Sequence, residues 1–303
     1  VASNNWNEVY SQTILYFDRF CSENYPGVKG ITQEMINGWC IQRPTEQKRS
    51  FIDRCQSALR LIEYLQNRNL TSVVKPEMPP APPKTHIPHA FSEEELCRFF
   101  SRCDENVKTA RDQSSRFIAL SASVEFRLLY SSGMRPTETR LLRTENVDLA
   151  RGIINVKETK GNQQHYVALH DDAIQLLRDY DAVASKRFPS RIIFFPMNSK
   201  NPDMPISPDM LDYHFHKVWD KVNGSSAVPY DFRHNYAIEN INSWINSGFE
   251  FHDKLVFLSK SMGHTSLEST KYYYSIVPAL ADILQKTTEA GFDEIVPEVP
   301  DYE

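Results

Sequence analysis

The segment KPEMPPAPPKTHIPHA, residues 75–90, holds six of the chain's eighteen prolines. Each proline fixes φ and removes a backbone N–H, and the residue before it is steered away from helical geometry. Neither a helix nor a sheet ladder can run through such a stretch, which reads as a semi-rigid, extended connector. The 303-residue chain is thereby split into a short part, 1–74, and a longer part, 91–290, each of which must build its own core.

The short part reads as all helical. Residues 6–22 and 31–42 are moderately periodic, and the segment from Thr45 to Arg68 is clearer. There Phe51, Cys55, Ala58, Leu59, Ile62 and Leu65 form one stripe at helical spacing, with Arg49, Arg54, Arg60 and Arg68 on the opposite half. Such an arginine face is either solvated or a grip for phosphates. After the connector, Ser92 and Glu95 predict a capping box opening a helix to about Cys103. A long apolar helix spans about Ser114 to Ser131, with Gly133 as its stop. The stretch 151–170 reads as two strands, Ile153–Glu158 and His165–Leu169, around a Lys160-Gly161-Asn162 turn. Further helices are predicted near 171–186, 208–221, 231–246, 254–262 and 278–289. The fold class is mainly α with a small antiparallel sheet.

Charge at first speaks against a nucleic-acid partner, because the net value is −5. The segment GFDEIVPEVPDYE, 291–303, carries five acids and no Lys or Arg, so the rest of the chain is balanced. DNA is neither demanded nor excluded by charge; the placement of basic groups decides. Five cysteines, Cys21, Cys40, Cys55, Cys97 and Cys103, without close pairs, read as buried reduced thiols rather than disulfides or a zinc site. No apolar run reaches membrane-spanning length, and no secretory leader pattern opens the sequence. A cytoplasmic protein without a membrane partner is expected. The first residues, Val1-Ala2-Ser3, lack a methionine, which leaves room for a segment upstream.

Phosphate-binding loops, dinucleotide fingerprints, nucleophile elbows and zinc-helix signatures are all missing from the sequence. No metal or cofactor is expected. What remains is a set of separated polar groups. Arg135 follows the helix stop and precedes Pro136, a position that suits a helix start. Tyr230 and Arg233 stand three apart at the start of another helix, Lys160 sits at a hairpin tip, and His264 follows Gly263 at a helix end. Singly, each has an ordinary structural account.

In this order they resemble the tyrosine recombinase (phage integrase) family, from about Ser92 to Pro278. GMRPTETRLLRTENVDL is similar to the family's first-arginine motif, and KETKGNQQHYVAL to its hairpin-lysine element. YDFRHNYA resembles the H-x-L-R-H box, and MGHTSLESTKYYYS the L-G-H-x-S…T-x-x-Y box. The resemblance implies Arg135, Lys160, Tyr230, Arg233, His264 and Tyr273 as catalytic residues. It selects Tyr273 from the run Tyr272-Tyr273-Tyr274 because the family's nucleophile lies nine residues after the histidine. Tyr230 stands where the family has a histidine, and Glu138 is read as a structural partner of Arg135.

The resemblance further implies a helical core-binding domain over 1–74, a linker over 75–90, a catalytic domain over 91–290 and an acidic tail over 291–303. It implies cutting and rejoining of double-stranded DNA at specific sites through a 3′-phosphotyrosine, with Lys160 as general acid. A homo-tetramer on DNA, a free monomer and an accessory directionality protein belong to the same expectation. Integration or excision of a mobile element, resolution of chromosome dimers, and a topoisomerase-like nicking and closing enzyme remain open. So do a DNA-binding regulator that keeps the fold without catalysis, and a helical scaffold.

Overall fold

A computed structural model describes residues 8–82, 88–157, 164–197, 201–244, 250–264 and 268–271. The chain divides into two compact units, Val1–His86 and Ile87–Glu303.

The first unit is built from α1 (Glu8–Asn24), α2 (Gln33–Trp39) and α3 (Lys48–Gln66). Thr32 caps α2, its hydroxyl accepting from the Met35 amide at 3.3 Å. Phe17 from α1, Ile36 and Trp39 from α2, and Phe51, Cys55, Ala58, Leu59 and Ile62 from α3 close one core. Leu65, the last residue of the predicted stripe, is only half-buried. Arg54 departs from the expected outward face. Its guanidinium forks onto Glu46, with Nε and Nη2 at 2.7 and 2.8 Å from the two carboxylate oxygens, and stacks over Trp39. That arginine is spent on its own fold.

The second unit opens with α4 (Glu93–Lys108), where the Ser92–Glu95 capping box forms in both directions. α5 (Gln113–Ser132) follows, capped by Asp112 and ended by Gly133 in the left-handed region at φ 64°. It is the central helix. Phe117, Val124 and Leu128 face one core shared with the sheet and with α7 (Asp171–Arg187). Phe126 and Leu129 face a second, largely aromatic core with α4, α8 (Pro208–Val222) and the start of α9 (Asp231–Ser243). A helix buried on two flanks carries apolar residues on both, interleaved with small serines, which is why no single polar stripe stands out in its sequence.

Between α5 and α7 lie the short α6 (Pro136–Arg140) and an antiparallel sheet in the order β1 (Val147–Asp148), β2 (Ile153–Val156), β3 (His165–Ala168). The register pairs Ile154 with Val167 and Val156 with His165. β1, pairing Val147 with Ile154, is absent from the sequence expectation, since two residues carry no alternation to detect. α10 (Glu250–Ser261) packs on α9 through Ala237, Ile241, Leu255, Leu258 and Met262, and α11 (Glu268–Lys271) closes the described part. The predicted helix at 278–289 lies outside the described residues.

All five cysteines are free. Cys55 and Cys103 are buried as expected, but Cys97 is exposed, because it lies on the outer face of α4 beside the buried Leu96. Among the described residues no helix is long and apolar enough to cross a membrane.

Candidate active site

The site is assembled from three chain turns. At the first, α5 stops at Gly133, whose positive φ reverses the chain; a Cβ there would strike the Tyr236 ring. Two residues on, Arg135 caps α6 with Pro136 at the first helical position. The Arg135 amide donates to Glu138 Oε2 at 2.8 Å, and its Nη1 donates to Glu138 Oε1. Nη2 reaches across to the Gly263 carbonyl at 3.1 Å. The Glu138 side chain is 1% exposed and that of Arg135 18%. Glu138 thus holds the arginine from the buried side, while part of the Arg135 side chain stays exposed.

The second turn opens α9. Asp231 accepts from the Val228 amide at 2.9 Å and anchors the helix start. Arg233, in the first turn, is 1% exposed. Its Nη1 donates to the Gly133 carbonyl and its Nη2 to the Met262 carbonyl, each at 2.6 Å.

The third turn ends α10. Met262, Gly263 and His264 donate their amides back to Leu258, Lys260 and Ser259, a close wrap of the helix terminus that needs Gly263 at φ 60°. The close neighbour there is His165 at the head of β3; a Cβ on residue 263 would come within 2.5 Å of its Nδ1. His264 Nδ1 lies 2.7 Å from Thr270 Oγ1. Burial, then the positive fields of Arg233, Arg135 and His165, pull the His264 pKa down to about 4. Its imidazole is neutral at physiological pH.

Arg135, Arg233 and His264, far apart in sequence, therefore meet on one tripeptide, Met262–His264. The depressed histidine reports its burial first and, after that, the positive fields of the two arginines and His165. Glu138 is the structural partner the sequence suggests. Tyr230 differs from the rest. It is 41% exposed and its ring lies 5.1 Å from His234; its carbonyl accepts from the Arg233 amide at 3.1 Å, but among the described residues no side-chain hydrogen bond joins it to the three. Lys160 and Tyr273 lie outside the described residues. Five contributors escaped the sequence reading. Thr270 had a signal, the threonine of the T-x-x-Y pattern. His165 and the carbonyls of Gly133, Met262 and Gly263 had none, because backbone carbonyls carry no residue identity. Among the described residues no group of three or more His, Cys, Asp or Glu comes together at metal-binding distance.

With this geometry in hand, comparison with known proteins gives a consistent result. The sequence pattern of the phage integrase family matches residues 90–278. The chain belongs to that family. An integrase/recombinase of Sinorhizobium fredii designated y4rE is 26% identical over 167 residues, 54% of this chain and 53% of its own length. This chain therefore spans about half of that relative. Tyrosine recombinase XerC of Staphylococcus saprophyticus is 24% identical over 75% of this chain and 71% of its own. Tyrosine recombinase XerA of Saccharolobus solfataricus is 21% identical over 91% and 84%. Among solved structures, XerH bound to palindromic difH substrate in a post-cleavage complex aligns with a TM-score of 0.61 at 16% identity, covering 94% of this chain and 78% of that one. A lambda integrase dimer bound to a COC′ core site aligns with a TM-score of 0.55 at 13% identity, covering 90% and 73%. At such identities the structural likeness establishes the fold.

Proposed function

We propose that this protein is a site-specific DNA recombinase that cuts and rejoins double-stranded DNA through a covalent 3′-phosphotyrosine, in the integration or excision of a mobile element. The observation that carries the reading is the meeting of Arg135, Arg233 and His264 on one tripeptide, where both arginines place their positive fields on the buried histidine. Relatives named tyrosine recombinase and integrase, and the lambda integrase and XerH structures solved on DNA, support the substrate class.

The reaction is a transesterification. The Tyr273 oxygen bonds to phosphorus, the bond from phosphorus to the 5′-oxygen breaks, and the phenolic proton leaves to solvent. Lys160 hands a proton to the departing 5′-oxygen. One ester replaces another, so the bond is conserved for rejoining. The transition state gathers negative charge on the non-bridging oxygens, where preorganised donors act most strongly. Arg135 keeps N–H donors beyond those spent on Glu138 and Gly263. A neutral His264 donates from Nε2 when the Thr270 hydroxyl donates to Nδ1, and a phosphate oxyanion selects that arrangement. Tyr230, exposed and beside His234, orients DNA rather than taking the phenolic proton, since its phenol is a poor base near neutral pH.

In this reading residues 1–74 form the core-binding domain, 75–90 the linker, 91–290 the catalytic domain and 291–303 an acidic tail. The protein assembles as a homo-tetramer on DNA and is monomeric when free, works in the cytoplasm, nucleoid-associated on DNA, and takes direction from an accessory protein. The test is a nicked duplex carrying an end of the element. Covalent protein–DNA that survives denaturation is expected, and Tyr273→Phe is expected to bind the duplex without forming it. Binding by the wild type with no adduct would instead favour a regulator that keeps the fold.

A further inference from the structure

α5 carries one carboxyl group that the proposed chemistry leaves unused. Glu125 is 1% exposed, and its partner across the α5–α6 contact, Thr139, is fully buried. Glu125 Oε1 lies 3.1 Å from Thr139 Oγ1, and the same Oγ1 lies 3.1 Å from the Pro136 carbonyl oxygen. Proton counting makes this arrangement informative. A hydroxyl has one proton to give, and a carbonyl oxygen only accepts. If Thr139 donates to Pro136, then Glu125 must supply its own proton to the hydroxyl oxygen, and it is a neutral acid. If Glu125 is ionised, it takes the hydroxyl proton and the Pro136 carbonyl loses that donor.

The surroundings favour the neutral form. Burial pushes the Glu125 pKa up to about 8, against the opposing pull of the Thr139 hydrogen bond and the Arg140 charge. Arg140, on α6, acts through its field; its Nη1 is directed to the Ile206 carbonyl at 2.6 Å. Tyr180, on α7, is the other titratable group within electrostatic reach, and burial holds its phenol neutral well above the usual range. Neither group forms an ion pair with the carboxyl.

We propose that Glu125 is a positioning residue acting as a neutral acid, in which a relay from its O–H through the Thr139 hydroxyl to the Pro136 carbonyl pins the first turn of α6, and with it Arg135, to α5. Pro136 follows Arg135 directly, and both the Glu138 and Thr139 amides donate to the Arg135 carbonyl, at 2.8 and 3.1 Å. The relay thus ends on the turn that aims the guanidinium. Loss of the Glu125 proton to solvent turns the Thr139 hydroxyl toward the carboxylate, takes its hydrogen bond from the Pro136 carbonyl and loosens the turn. The protein then loses alignment of Arg135 in mildly alkaline solution. A neighbouring recombinase-like chain with an apolar residue at this position would lack that dependence.

The activity readout rests on the function proposed above, so a second readout is independent of it. Covalent trapping on the nicked duplex is followed from about pH 6 to pH 9 for wild type, Glu125→Gln and Thr139→Val. Wild type is expected to slow roughly fivefold to tenfold relative to Glu125→Gln between about pH 7 and pH 9, with a midpoint near 8. Glutamine stays neutral and its amide still donates to Thr139, so the trapping rate near pH 7 is retained. Thr139→Val breaks the relay and is expected to be slow at every pH, with Thr139→Ser restoring the rate. Identical alkaline behaviour of wild type and Glu125→Gln overturns the proposal. The second readout is thermal melting without DNA. The folded acid holds its proton where the unfolded one has lost it, from about pH 4.5 to 8, so stability falls as pH climbs through that window. Glu125→Gln should melt with a flatter pH dependence. If no protein forms an adduct but the melting curves differ, the functional reading fails and the neutral acid stands. Parallel melting curves overturn the neutral acid whatever the trapping shows.

Discussion

Arg135 and Arg233 send guanidinium groups to neighbouring carbonyls of the same turn, yet they sit in opposite environments. Arg135 caps a five-residue helix, is paired with the buried Glu138, and keeps 18% of its side chain exposed. Arg233 lies inside α9, is 1% exposed, and joins the ends of two other helices by donating to the Gly133 and Met262 carbonyls. One arginine is a charge held ready behind a carboxylate. The other is a tie between α5, α9 and α10 that also projects a positive field. Two formally equal cations therefore differ in setting, with Arg233 holding the frame and Arg135 the more exposed of the pair.

Arg233→Ala gives the largest expected break in that comparison. It strips two buried carbonyls of their donor at about 1–3 kcal/mol each. The melting temperature should fall on the order of 10 °C in a thermal scan. A shift within about two degrees would show that Arg233 is no structural tie.

Arg135→Lys sharpens the contrast from the other side. It keeps a charge near Glu138 but loses the fork that spans Glu138 and Gly263. Melting should change far less than for Arg233→Ala, while covalent trapping drops roughly a hundredfold or more, the scale of a lost oxyanion donor. Equal losses of stability in the two variants would erase the distinction.

The smallest effect is electrostatic. His264 is held at about 4 by burial first, then by Arg233, then by Arg135. Nitrogen-detected NMR titration of Arg135→Gln should move the His264 midpoint upward, short of the usual 6.5, because burial and Arg233 remain. The unfolded histidine binds a proton between pH 6.5 and 4 where the folded one does not, so this group withdraws stability as pH falls through that window. An unchanged midpoint would mean that Arg135 projects little field into the pocket.

Much of this architecture was legible along the chain. The Ser92–Glu95 box and the Gly133 stop set α4 and α5 through local hydrogen bonding and backbone freedom, and both appear where the sequence puts them. The order of Arg135, Arg233 and His264 was legible through resemblance. The positional account of Tyr230 and Arg233 was legible only in part. Their spacing suggested one helix face, whereas Tyr230 stands outside the helix start at 41% exposure and Arg233 is buried. Tyr230, the flanking residue, keeps helical backbone angles at φ −66° and ψ −23°, so packing rather than backbone geometry separates the two side chains. Arg54 shows the same limit, since a helix-wheel assigns it to the outside and only folding brings Glu46 and Trp39 against it.

The sequence by itself determined the elements: where proline forbids regular structure, where glycine must end a helix, and which side chains could serve a phosphate. Tertiary structure decided the partnerships. Arg233 became a tie and Arg135 an outward-facing donor because buried carbonyls from distant turns demand hydrogen bonds, and that demand is invisible in a one-dimensional chain. The same packing placed Glu125 beside Thr139, where an acid that would ionise readily in water keeps its proton.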